Sequence, residues 1–141
     1  MTMSRVWLTA TLGLSLGCTG AGGSRAVTAV PPNVSDYQPA TPLTARASGL
    51  LGRAVYRTPE GEAFRVEIED LLVQPSTSAV VVPLAQAAVI EVRGGEGDAL
   101  VGDRRVALTL GATFAVSAGE GLSVQPRGGP VELHVAQIAS R

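Results

Sequence analysis

Residues 87–121 read AAVIEVRGGEGDALVGDRRVALTLGATFAVSAGEG. This stretch decides the fold class. Its strand-like runs, 87–93, 98–101 and 113–116, are mostly apolar and too short for helices, and Val106, Leu108 and Leu110 alternate with their neighbours. Glycine-rich turns (Gly94-Gly95-Glu96-Gly97, Gly102-Asp103, Gly111) separate the runs, which is the spacing of short antiparallel strands. The pattern extends in both directions. Leu122 to Gln125 and Val131 to Ile138 follow, and Ser78 to Leu84 precedes with the run Val80-Val81-Val82. Farther upstream, Phe64, Val66 and Ile68 alternate with Arg65, Glu67 and Glu69. The alternation predicts a strand whose Phe64 face is buried and whose Glu67 face is wet. Arg53 to Thr58 is a further strand, and Pro59 to Glu62 is a hairpin-type connection. Strands recurring every ~8–12 residues imply an all-β sandwich or barrel.

The order of these strands resembles the cupin superfamily of small double-stranded β-helix jelly rolls. The residues that carry the resemblance are AAVIEVRGGEG, DALVGDRR, VALTLGATFAVSAGEG and the closing VELHVAQI. In that family a Gly-Asp corner and a Pro-x-Gly corner bracket the strand that Thr113 to Val116 would form. Here Gly111-Ala112 and Ser117-Ala118-Gly119 stand there, and only the glycines match. The resemblance implies a small cupin-like jelly-roll barrel over residues 49–141.

The family's chemistry rests on two metal-binding motifs, and both are missing. In the first, the glutamate position falls on Ala87, Ala88 or Ile90. The histidine pair falls among Val80 to Gln86, where Gln86 is the only polar side chain. In the second, Leu122 stands at the histidine and Pro126 at the asparagine. A transition metal needs three or four imidazole or carboxylate ligands around one centre. Aliphatic side chains at those positions lead us to expect no metal, no cofactor and no enzymatic activity. Val80, Val82, Ile90 and Leu122 are instead the expected lining of any apolar ligand pocket.

The N-terminus reads as an address. Arg5 supplies a positive charge, and Val6 to Leu16 is uncharged and mostly apolar, too short to span a membrane as a helix. Leu14-Ser15-Leu16-Gly17-Cys18 then resembles a bacterial lipoprotein lipobox, with the small Gly17 before the thiol that would carry lipid. Ser15 departs from the branched aliphatic residue preferred there. The resemblance implies a signal peptide over 1–17 and a diacylated, palmitate-bearing N-terminus at Cys18. Thr19, in place of Asp, implies an outer-membrane location. An ordinary secretory signal with Cys18 just beyond its cleavage site is the other reading. Residues 18–48 hold Pro31, Pro32, Pro39 and Pro42 and few large apolar side chains, which predicts an extended, flexible linker. A short strand at Val27 to Val30 is the alternative for part of it.

The 141 residues contain one Cys, one His, 11 basic and 12 acidic residues, for a net charge of −1. That balance gives no electrostatic basis for nucleic-acid binding. The single Cys excludes a disulfide framework. His134 falls on the Glu132 side of the last strand and is expected to be solvated. Glu67, Glu69 and Asp70 are expected to be a solvated acidic cluster. The one G-x-S-x-G string, Gly13 to Gly17, lies within the expected signal peptide, and none surrounds a serine of the β domain. The turn Gly94-Gly95-Glu96-Gly97-Asp98 occurs once, whereas calcium-binding turns of similar composition need stacked repeats. The sequence therefore points to a non-catalytic cell-envelope lipoprotein. Its partners would be the membrane, through the lipid, and an envelope protein bound by the β domain. A module binding a small molecule or sugar is the alternative.

Overall fold

The computed structural model describes residues 41–140. Cys18, the expected signal peptide and the linker up to residue 40 lie outside the described residues. Ten strands follow in chain order: β1 (Thr44–Ala47), β2 (Leu50–Arg57), β3 (Phe64–Val73), β4 (Val80–Val82), β5 (Ala87–Gly94), β6 (Gly97–Val101), β7 (Arg104–Leu108), β8 (Thr113–Val116), β9 (Leu122–Pro126) and β10 (Val131–Ser140). There is no helix among the described residues. The strands form a six-stranded sheet, β1-β2-β3-β10-β5-β8, and a four-stranded sheet, β4-β9-β6-β7. All neighbours are antiparallel. This is the all-β jelly roll that the glycine-punctuated strands predict.

Period-two patterning builds the core. On β5, Ala88, Ile90 and Val92 are buried between the exposed Ala87, Val89 and Arg93. Leu71, Val73, Val131, Leu133 and Val135 join them from the same sheet. Val80, Val82, Leu122, Val124, Ala99, Val101 and Leu108 face them from the other. Each fully buried Val, Leu or Ile contributes about 1.5–3 kcal/mol relative to exposure. Tight crossovers let the chain pass between the sheets. At Gly95, φ is +78° and a Cβ would collide with the Pro130 carbonyl oxygen, so glycine is required twice over.

Three details differ from the sequence reading. The linker was expected to run to residue 48, yet Thr44–Ala47 is strand β1. Its TARA sequence carries no large apolar residue, and all four residues are exposed, so no periodicity announces it. Pairing with β2, the bond from Thr44 Oγ1 to the Gly52 carbonyl at 3.2 Å and the Arg46–Glu69 ion pair hold it in place. Strand β2 begins at Leu50, earlier than the expected Arg53, because Leu50 anchors it in the core and Gly52 hides the alternation.

The third difference concerns β3, whose faces are opposite to expectation. Phe64 is 53% exposed, and the core residues of this strand are Leu71 and Val73. These two share their side of the sheet with Glu69, Glu67 and Arg65, as period two requires. The register confirms the phase: Glu69 lies opposite the buried Val135, and Glu67 opposite Gln137. One half of the inward face is thus aliphatic and the other half charged.

Candidate functional site

The residues expected to line an apolar pocket are packing residues. Val80, Val82, Ile90 and Leu122 are 6%, 2%, 0% and 2% exposed and belong to one core cluster. Val82 pairs directly with Leu122 across β4 and β9. Val80, Val82 and Leu122 occupy the places where the resemblance would put metal ligands, and they offer no nitrogen, oxygen or sulfur donor. A divalent cation buried among them would remain unsolvated and uncompensated, so these residues do not fit the family's metal. Elsewhere among the described residues, no three His, Cys, Asp or Glu side chains converge to hold one. In the Gly94–Asp98 turn, the Asp98 carboxylate is taken by Arg127 at 2.6 Å.

Polar chemistry gathers at the charged half of the inward face. Arg65 and Glu67 of β3, Gln137 and Ala139 of β10, and Ala85 and Gln86 of the β4–β5 connection line a cleft of about 270 Å3. Gln137 is only 9% exposed. Its Oε1 accepts the backbone N–H groups of Ala85 at 2.9 Å and Gln86 at 3.3 Å, so it ties the connection to the sheet. Its amide NH2 keeps its donor capacity. Glu67 is bridged by Arg57 at 3.0 Å and by Arg65, while Glu69 pairs with Arg46 at 3.2 Å. The mouth therefore presents guanidinium, carboxylate and amide groups fixed by one another. Such planar donors and acceptors suit a polar ligand or a polar protein surface.

A second polar feature crosses the outward face of the same sheet. The register places Arg53, Asp70, His134, Glu91 and Thr113 in one row over β2, β3, β10, β5 and β8. Arg53 donates to Asp70 Oδ2 through Nε at 3.1 Å and Nη2 at 3.0 Å. His134 Nδ1 lies 2.7 Å from Asp70 Oδ1, with its side chain 20% exposed. An ionised carboxylate only accepts, so the ring carries its proton on Nδ1. Burial alone would raise the Asp70 pKa. Hydrogen bonds from His134 and Arg53, and the charges behind them, outweigh that effect and hold the carboxyl below its ordinary value. The solvated His134 of the sequence reading is corrected here, since its strand neighbour supplies a carboxylate. The solvated acidic cluster is corrected too: Asp70 faces outward, Glu67 and Glu69 face inward, and each has a cationic partner.

Sequence reasoning missed Gln137 and Arg65 as site residues. Gln86 was visible in sequence as the one polar side chain near the expected histidine positions. Nothing linked it to Gln137, which lies 51 positions away.

No protein-family model matches the sequence, and no curated protein matches it. Solved structures do share its architecture. An RmlC-like cupin from Shewanella frigidimarina NCIMB 400 aligns with a TM-score of 0.56 at 14% identity, over 77% of this chain and 89% of that one. A cupin 2 conserved barrel domain protein from Rhodopseudomonas palustris aligns with a TM-score of 0.54 at 17% identity, over 70% and 68%. Hydroxypropylphosphonic acid epoxidase from S. wedmorenis aligns with a TM-score of 0.54 at 17% identity, over 68% of this chain and 54% of the enzyme, about half its length. The fold is cupin-like. The last of these comparisons corrects the expectation of a chain without enzymatic activity, because the same architecture serves an enzyme. The missing histidines exclude one ligand set and not catalysis as such, since function resides in sites placed on a fold.

Proposed function

We propose that this chain is an envelope lipoprotein, lipidated at Cys18 and held at the outer membrane. Its cupin-like domain is a binding or assembly module that meets an envelope protein at the polar mouth of the barrel. The observation that carries this reading is the change of character along the inward face. The aliphatic half is packed shut, and the Arg65–Glu67–Gln137 half is open to a cleft. The lipobox-like Leu14 to Cys18 and the proline-bearing segment behind it support anchoring on a spacer. The cleft also favours a second reading, a small polar molecule or sugar held by the same groups.

Two experiments test the proposal. Cys18→Ala should abolish lipid attachment and release the protein from the membrane fraction. Retention with unchanged processing would remove the lipoprotein reading. A photo-crosslinking residue at Gln86 should capture one defined envelope protein in intact cells. The same residue at Val81, exposed on the outward face of the four-stranded sheet, should not. Equal capture at both positions would remove the mouth as the binding region.

A further inference from the structure

The outward face of the six-stranded sheet holds a cleft of about 270 Å3, separate from the barrel mouth. Leu72 lies in it, Leu43 forms a wall, and Arg53, Asp70, Arg93 and Glu132 supply its polar groups. Leu43 is held there because Arg53 also reaches the Thr41 carbonyl, through Nη1 at 3.4 Å. The two poles of the cleft are electrostatically different. At one, Arg53 and His134 both hydrogen-bond the Asp70 carboxylate. At the other, Arg93 makes only a long ion pair with Glu91, at 3.6 Å and beyond hydrogen-bond distance, and no described residue pairs with Glu132. Glu132 sits opposite Gly94, the neighbour of Arg93, across an irregularity in the β5–β10 register. The absent side chain gives it room, since a Cβ on Gly94 would stand 3.2 Å from its Oε2. A guanidinium that lacks a hydrogen-bond acceptor and an unpaired carboxylate thus share a small cleft with Leu43 and Leu72, and no ion pair joins the two charges.

We infer that this cleft binds a free α-amino acid with an aliphatic side chain. An α-carboxylate would receive the forked donors of Arg93. The ammonium on the same carbon would donate to Glu132, and the side chain would lie against Leu43 and Leu72. Only a ligand carrying both charges on one carbon, next to an apolar group, satisfies all three features together.

Isothermal titration calorimetry on the full-length chain tests this with three probes: L-leucine, N-acetyl-leucine without the ammonium, and leucinamide without the carboxylate. Leucine should bind with a Kd of about 1 mM or tighter, and both derivatives at least ~10-fold more weakly. R93Q should bring leucine down to the affinity of leucinamide, and E132Q down to that of N-acetyl-leucine. Urea midpoints should stay unchanged in both variants, because the substituted side chains are exposed. Three results would each overturn the inference: no heat from leucine at millimolar concentration, a derivative binding as well as leucine, or affinity unmoved by either substitution.

Discussion

Strands β3 and β10 run side by side from Val73–Val131 to Phe64–Ser140, and the two ends of that ladder face different surroundings. At the Val73 end, the inward side chains are Val73, Leu71, Val131, Leu133 and Val135, all packed against the four-stranded sheet. At the Phe64 end, the same side carries Glu67, Arg65 and Gln137, and a cleft replaces the core. The backbone is equally regular at both ends. The difference lies in the side chains, and it teaches that one sheet face can serve as core at one end and binding surface at the other.

Substitutions should separate the two ends. The largest loss is expected at the packed end. Leu133→Ala removes a side chain that is 1% exposed and should cost about 2–5 kcal/mol in urea unfolding. At the open end, Gln137→Leu leaves the Ala85 and Gln86 N–H groups without an acceptor and should cost about 1–3 kcal/mol. A loss there as large as that of Leu133→Ala would erase the contrast.

The outward row responds to pH. Asp70 has a lowered pKa in the folded chain, so its stabilisation is complete above the unfolded value of about 3.9 and fades as pH falls through the lower folded value. Asp70→Asn should therefore be destabilising by ~1 kcal/mol at pH 7. Its thermal midpoint should converge on that of the parent chain as pH falls through the lowered folded value of Asp70. A gap independent of pH would mean that shape and not charge holds the row. Smaller still, Arg65→Ala breaks a surface-exposed pair and should move the unfolding midpoint by less than ~0.5 kcal/mol.

Much of this was legible in sequence and some was not, for physical reasons. Strands β5 to β8 were readable because glycine turns mark their ends and their alternation matches burial. The aliphatic character of the interior was legible from Val80, Val82 and Leu122 at the ligand-equivalent positions, but that they fill it instead of lining a pocket was not. Strand β3 misled because its Phe64-Val66-Ile68 alternation is real, while the shorter Leu71 and Val73 pair sets the phase. A ten-residue strand projects beyond the sheet that covers it, and no local signal says which end is covered. The Asp70–His134 contact was invisible because its partners are 64 residues apart. Strand β1 was hidden by its lack of any large apolar residue.

The phase of β3 decides whether Glu67 and Arg65 line the mouth, and Phe64→Asp measures it most directly. Phe64 is an outward-facing, half-exposed residue, so this account predicts a change in unfolding free energy within about 0.5 kcal/mol. A loss of about 3 kcal/mol or more, as burial of an unpaired carboxylate in a core would give, would contradict the orientation of the strand and the mouth built on it.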